Sequence, residues 1–380
     1  MPRRAHSTCY PMTSKRNLYG LDAETIAGHL ADYGARPYAA GQISAWMYRR
    51  RARTFGGMTD LGSVLRARLD EECTIERPAI AARIASLDGT VRYLLDLPAG
   101  GRVEAVAIPE RGRLTFCISS QVGCALGCTF CMTGTLGLTR HLLPGEIVGQ
   151  VAELMEDWRV EPNRFNTVFM GMGEPLHNYD HLLTALRVLT DRRGFAIGGK
   201  RITVSTAGMA PEMERLAREG VRPRLALSLS ATTDEARARL VPLTRRYPIA
   251  RLLEACRTWA RETGERVFLE YVMLAGENDT PADAARLARL ARGVADRINL
   301  IPFNEVPVLP HRATPFPEIM KFRDAVAGKG LRVSIRRSRG RDIEGACGML
   351  AFGAAGAGAS APQAAGREDR IESAPSGRNA

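Results

Sequence analysis

The 380-residue chain has few cysteines, few aromatic residues and almost no lysine. Eight cysteines are too sparse for a small scaffold stapled by disulfides. An aromatic share of 6% gives little support to a sheet that stacks bases. Lys15, Lys200, Lys321 and Lys329 are the only lysines among 53 basic residues, so arginine carries the positive charge. Long apolar runs are missing too. Met1-Pro-Arg-Arg is not followed by the apolar core of roughly 7–15 residues that a secretory signal needs. Ala346 to Gly366 is uncharged for 21 residues, but it is mostly Ala and Gly and lacks the Leu, Ile and Val that insertion requires. These absences predict a cytoplasmic protein with no membrane contact and reduced thiols available for metal or redox work.

What is present points to a globular body. The apolar share of 45% is ordinary for a folded protein. The net charge of +12 is uneven, because nine basic and only three acidic residues precede Thr59, which is half of the excess. Arg49, Arg50, Arg51 and Arg53 close an apolar-periodic run containing Ile43, Trp46 and Met47. Cations suit a helix C-terminus, so these arginines read either as a solvated helix end or as a phosphate-contacting surface. Arg336, Arg337, Arg339 and Arg341 form a second basic cluster of the same kind. Asp22 is placed to cap a helix through Tyr33. From Ile84 to Ile108, alternating segments broken by Asp88-Gly89 and Gly100-Gly101 predict hairpins.

After residue 110 the rhythm changes. Short β-rich runs recur at 114–119, 167–170, 201–205, 224–229, 267–274, 297–302 and 331–335. Helical stretches separate most of them, at 144–158, 181–191, 212–219, 249–262 and 281–294. Strands alternating with helices pair in parallel through right-handed crossovers. The class is α/β, and the pattern fits a full or partial (β/α) barrel or a doubly wound open sheet; periodicity alone does not separate them. From residue 351 the composition is that of a disordered Ala/Gly-rich tail.

Four of the eight cysteines fall between Cys117 and Cys131. Cys124, Cys128 and Cys131, at x3 and x2 spacing directly after a strand, suit three irons of a 4Fe–4S cluster, leaving the fourth iron without a protein ligand. A structural zinc site is the alternative, and His141 or His177 is available to complete it. The spacing favours iron–sulfur. Gly171-Met-Gly173-Glu174 begins like a dinucleotide loop, but Leu176 stands at the third glycine position and the fingerprint is absent. A strand ending in Gly-Glu still suits a ligand, because glycine permits close backbone approach.

The triad, with Phe130 before its last cysteine, resembles the signature of radical S-adenosylmethionine enzymes. Together "CISSQVGCALGCTFC", "FMGMGEPLHN", "VSTAG", "NLIPFN" and "RRSRGRDIEGACG" resemble the RlmN/Cfr family of RNA adenosine methyltransferases, in order from about Leu18 to Leu350. The resemblance implies a partial (β/α) barrel, a 4Fe–4S cluster on Cys124, Cys128 and Cys131, and S-adenosyl-L-methionine as cofactor. It implies contacts to that cofactor from Gly173, Glu174, Ser205, Ser228, Leu229, Ser230 and Asn304. Cys347 matches the cysteine that becomes S-methylcysteine, Cys117 its transient disulfide partner, and Glu104, in "RVEAVAIPE", the proton acceptor. Independently of the family, these residues fall where predicted strands end, on the rim where (β/α) barrels work. The Gly-Ala-Cys-Gly setting of Cys347 predicts mobility.

The expected activity is methylation of C2 of an adenosine in 23S rRNA, and in tRNA, by a monomer fed by a reduced flavodoxin or ferredoxin-type donor. C8 methylation of the Cfr type, a divergent relative with another RNA target and a non-catalytic zinc RNA-binding protein are the alternatives. Ser230 stands where many relatives have His, Arg341 where an acidic residue is common, and Met132 where a small one is usual. The expected organisation is a basic helical RNA-binding module over 1–80, a β-hairpin connector over 81–109, a radical core over 110–350 and a tail over 351–380. Cys9, Cys73 and Cys256 have no assigned task.

Overall fold

A computed structural model describes residues 15–36 and 38–350. The tail expectation and Cys9 therefore lie outside the described residues. The N-terminal part is a set of short helices, α1 (Ala23–Ala31), α2 (Ala39–Ser44) and α3 (Ser63–Glu72). Strands β1 (Arg16–Asn17) and β2 (Cys73–Thr74) pair in parallel and close it. Asp22 caps α1 as expected, its carboxylate accepting from the Thr25 amide at 2.8 Å. Ile26, Leu30, Ile43 and Met47 are buried and tie this part into the main hydrophobic core.

Ten strands form the main sheet. Three are antiparallel: β3 (Ala79–Ala85), β4 (Val91–Asp96) and β5 (Arg102–Glu110). The hairpin expectation holds, and β3 starts earlier than the alternation suggested. β6 (Arg113–Cys117) pairs antiparallel with β5 and parallel with β9 (Asn166–Phe169). From there β10 (Ile202–Thr206), β11 (Arg224–Ser228), β12 (Val267–Met273), β13 (Ala295–Pro302) and β14 (Val333–Ile335) continue in parallel. A separate hairpin, β7 (Gln121–Gly123) with β8 (Leu138–His141), follows β6 and flanks a short helix α4 (Met132–Thr135).

The strand order decides what periodicity left open. Neighbours run β6-β9-β10-β11-β12-β13-β14 with no reversal, whereas a doubly wound sheet reverses at a switch point. The chain is an unclosed (β/α) barrel with an antiparallel extension. Helices α5 (Pro144–Asp157), α6 (Tyr179–Thr190), α7 (Ala210–Arg218), α8 (Asp234–Leu240), α9 (Ile249–Thr263), α10 (Pro281–Ala291) and α11 (Phe316–Ala327) link the strands. Because the parallel strands are covered on both faces, apolar runs such as Leu225-Ala226-Leu227 of β11 fill their centres, with Glu270 of β12 and Asn299 of β13 as buried polar exceptions. The predicted helices are all found. Helices α8 and α11 were not anticipated: α8, in Asp-Glu-Ala-Arg-Ala-Arg-Leu, has too little apolar periodicity to announce itself.

The arginine run at 49–53 makes surface contacts with the barrel. Arg51 pairs with Glu161 at 2.8 Å, and Arg53 reaches Glu156 at 2.5 Å and Glu153 at 3.1 Å. Arg49 donates to the Arg192 carbonyl, and Arg50 lies 4.1 Å over the Trp46 ring. Three of the four thus fasten the N-terminal helices to the barrel, two of them at the α5 end. Arg49, Arg50 and Arg53 nonetheless stay exposed at the surface.

Candidate active site

At the C-terminal ends of the parallel strands lies a cavity of about 180 Å³. One water occupies about 30 Å³ of liquid, so this space is sized for a ligand. Cys124, Cys128 and Cys131 all line it, on the loop between β7 and α4. Across from them stand Gly173 and Glu174 after β9, Ser205 in β10, Ser228 in β11 and Asn304 after β13. Cys347 opens onto the same space. Nine of the thirteen residues singled out in the sequence line it.

The Gly-Glu turn is built by close packing. Gly173 has φ +99°, and a Cβ there would stand 2.6 Å from the Gln121 side chain. The Gln121 Oε1 accepts from the Glu174 amide at 2.8 Å. Its Nε2 donates to Nδ1 of His141 at 3.0 Å and of His177 at 3.2 Å. Both histidines are thereby spent behind the loop, and neither lines the cavity. Among the described residues, no three His, Cys, Asp or Glu side chains are grouped to hold a metal ion. The zinc reading loses its fourth ligand. The three thiols instead open separately onto the cavity, as ligands that each take a different iron would.

Electrostatics prepare the site for charge. Burial pushes the Cys124 thiol up to about 12 and the Cys128 thiol higher still. Buried thiols of this kind ionise only against a strong positive partner, which a metal cluster is. Burial likewise pushes Glu174 up to about 7, although its carboxylate accepts from the Ala207 amide at 2.8 Å and the Leu176 amide at 3.1 Å. A ligand ammonium would return it to the ionised form. Asn304, which lines the cavity, leaves its buried Oδ1 without a hydrogen-bond partner, an unmet acceptor of the kind a polar cofactor fills. Glu270 lines it too, with its Oε2 facing the Arg336 guanidinium at 3.7 Å. The residues present fit both a cluster and S-adenosylmethionine.

Four expected residues stand back from the lining. Leu229 is fully buried, its amide bonded to the Glu270 carbonyl at 2.9 Å. Ser230 is buried at φ 53°, with its hydroxyl unpartnered. Cys117 is buried at the end of β6, where burial pushes its thiol up to about 12, Cys347 adding to the rise and the Arg336 guanidinium opposing it. Glu104 is buried on β5 and bonded to Arg92 of β4 at 2.9 Å.

Two residues escaped the sequence reading. Glu270 sits mid-strand in "VFLEYVM", and a lone carboxylate in an apolar strand was the available signal. Arg237 is wholly buried on α8. It donates to the carbonyls of Leu229 at 2.9 Å, Ser228 at 3.0 Å and Ala207 at 2.5 Å, so it fixes the ends of β10 and β11. Nothing in "DEARARL" distinguishes it from a solvated arginine.

Comparison with known proteins follows this geometry. Residues 118–288 match the model of the Radical SAM superfamily. Residues 16–75 match that of the ribosomal RNA large subunit methyltransferase N-terminal domain. The chain is 44% identical over 339 residues to a dual-specificity RNA methyltransferase RlmN of Pelobacter propionicus, covering 89% of this chain and 96% of the relative. A protein of the same name from Geobacter sulfurreducens is 46% identical over 339 residues, covering 89% and 93%. The crystal structure of a radical SAM methyltransferase from Sphaerobacter thermophilus superposes with TM-score 0.82 at 41% identity, covering 88% of this chain and 99% of that one.

Proposed function

The chain belongs to the RlmN family of radical S-adenosylmethionine RNA methyltransferases, and we propose that it methylates C2 of an adenosine in 23S rRNA and in tRNA. One observation carries this reading. The three cluster thiols, the polar rim residues and Cys347 share a single cavity, so a radical precursor and a methyl acceptor can meet inside it. When bound on Cys124, Cys128 and Cys131, the cluster supplies the electron that cleaves S-adenosylmethionine to a 5′-deoxyadenosyl radical.

The chain's own residues do the rest. Glu174 accepts from the methionine ammonium, with Gly173, Ser205, Ser228 and Asn304 around it and Leu229 and Ser230 supporting the wall. The Cys347 thiolate takes a methyl group. A hydrogen atom of that methyl passes to the 5′-deoxyadenosyl radical, its carbon bonds to C2 of the base, and the base gives up its C2 proton and one electron, the electron returning to the electron carrier. Cys117 then attacks the Cys347 sulfur: an S–S bond forms, the S–C bond to product breaks, and its electron pair leaves with the product carbon, which takes up a proton. Glu104 is read as the proton acceptor. A reduced flavodoxin or ferredoxin-type protein delivers electrons, and the enzyme works as a cytoplasmic monomer. Among the described residues no helix is long and apolar enough to cross a membrane. Residues 1–80 are read as the RNA-contacting module and 81–109 as the connector to the core.

Nucleoside mass spectrometry of 23S rRNA and tRNA from cells with and without the gene tests the proposal. A 2-methyladenosine signal that depends on the gene is expected. Gene-dependent 8-methyladenosine would move the reaction to C8, and no gene-dependent methyladenosine would refute it.

A further inference from the structure

The segment that carries Cys347 is locked onto the cluster loop. The Met132 amide donates to the Gly348 carbonyl at 2.8 Å, and the Thr133 hydroxyl donates to the Leu350 carbonyl at 2.6 Å. Gly348 has φ +83°, and a Cβ there would press on the Phe130 carbonyl at 3.3 Å. From the other side of the cavity, Asn304 Nδ2 donates to the Cys347 carbonyl at 3.0 Å. Ala346 and Leu350, which bracket the segment, are both buried. The Met349 amide closes a turn on the Ala346 carbonyl at 3.1 Å.

These bonds are costly to leave unmade. Thr133 is only 3% exposed, so its hydroxyl has no water to turn to if Leu350 moves away. Its partner lies 217 residues further along the chain, so the bond is tertiary rather than a feature of α4. The cluster-ligand loop and the cysteine segment therefore form one interlocked unit.

We propose that Thr133 is a positioning residue for Cys347: its bond to Leu350, with the Met132–Gly348 contact, holds the Cys347 sulfur where it can take the methyl group. The inference rests on the reading of Cys347 as methyl acceptor. In that step the Cys347 thiol first gives its proton to solvent. The thiolate then forms an S–CH₃ bond as the methyl–sulfonium bond of S-adenosylmethionine breaks, leaving S-adenosylhomocysteine. Reductive cleavage to 5′-deoxyadenosine breaks a different bond of S-adenosylmethionine and does not involve the Cys347 sulfur.

The test separates these two reactions in anaerobically reconstituted full-length protein. Thr133→Val keeps shape and removes the hydroxyl, whereas Thr133→Ser keeps the hydroxyl. Iron content and dithionite-driven 5′-deoxyadenosine formation are read beside methylation of the Cys347 peptide by mass spectrometry. Thr133→Val is expected to slow Cys347 methylation about tenfold or more, with iron and cleavage kept and with rescue by Thr133→Ser. Methylation at the wild-type rate in Thr133→Val overturns the proposal. If Thr133→Val loses iron, Gly348→Ala decides. Slowed methylation with iron retained supports the proposal. Unslowed methylation, or loss of iron from both variants, overturns it. Wild-type protein that never methylates Cys347 refutes the underlying reading instead, and is seen in the same experiment.

Discussion

Strands β9 to β13 deliver residues to the cavity, from Phe169 through Ser205, Ser228 and Glu270 to Pro302. Strands β3 to β5, hydrogen-bonded into the same sheet, deliver none. The cause is direction. Parallel strands all end on one rim, so residues far apart in sequence arrive together, whereas antiparallel neighbours point their ends to opposite sides. The antiparallel part does a different job, gripping the chain just before Cys347. In the turn between β3 and β4, Asp88 accepts from the Gly340 amide at 3.0 Å. Ser86 and the Leu87 amide bond Asp342 at 2.6 and 3.2 Å. One half of the sheet makes the site, and the other anchors a segment that enters it.

Substitutions in each half should therefore fail differently. The largest effect belongs to the parallel rim. Cys124→Ala should abolish S-adenosylmethionine cleavage and drop iron below a full cluster while the apo-protein keeps its unfolding midpoint; retained cleavage would remove Cys124 from the ligand set. Next comes the antiparallel core. Arg92→Met takes the guanidinium from buried Glu104 and should cost about 3 kcal/mol of stability in denaturant titration. If activity fell with stability intact, Arg92 would serve the proton-acceptor role of Glu104 and not the cohesion of β4 and β5. Glu174→Gln should weaken S-adenosylmethionine binding by about 2 kcal/mol, roughly 30-fold, measured by calorimetry on protein of unchanged stability; equal affinity would take the ammonium elsewhere.

The smallest effect is at the anchor. Burial alone would raise the Asp88 carboxyl, but hydrogen bonds from Thr90, Gly340 and Ser86 outweigh it and hold the group at about 2. A carboxyl held below its usual range adds stability that is present above about pH 4 and lost as the pH falls through 2. Asp88 is partly exposed, so screening limits the contribution to about 1 kcal/mol or less. Asp88→Asn should flatten the acid limb of the stability curve by that amount, and an unchanged limb would show that the anchor rests on Asp342 alone.

Much of the site was legible before folding was considered. The cysteine spacing, the Gly-Glu strand end and the β/α alternation are local features, and each appears where expected. Two of the three departures noted in the sequence have a structural setting. Met132 meets the cysteine segment through its backbone amide, a contact that does not depend on its side chain, which packs against a small apolar cluster. At Arg341 the anchoring is done by the neighbouring Asp342, which remains. For Ser230 the structure offers a buried, unpartnered hydroxyl and no explanation of the exchange.

Other expectations depended on partners far along the chain. The carboxylate partners of Arg51 and Arg53, namely Glu161, Glu153 and Glu156, could not be read locally because they lie about a hundred residues away. The cysteine segment looked mobile because glycine is locally permissive, yet Thr133, Met132 and Asn304 hold it. Glu270 and Arg237 matter through burial, which is a property of the packed molecule.

The chemistry was already written in the chain: which thiols are spaced to take a cluster, which strand ends carry polar groups, and the barrel-like alternation that places them. Ligand spacing and strand period are short-range quantities, written within a few residues. Folding alone set the unreversed strand order, the pairing of Arg51 and Arg53 with distant carboxylates and the docking of the Cys347 segment against the loop of Cys124, Cys128 and Cys131. Each of those rests on contacts between distant residues, whose energy exists only once the chain has closed around them.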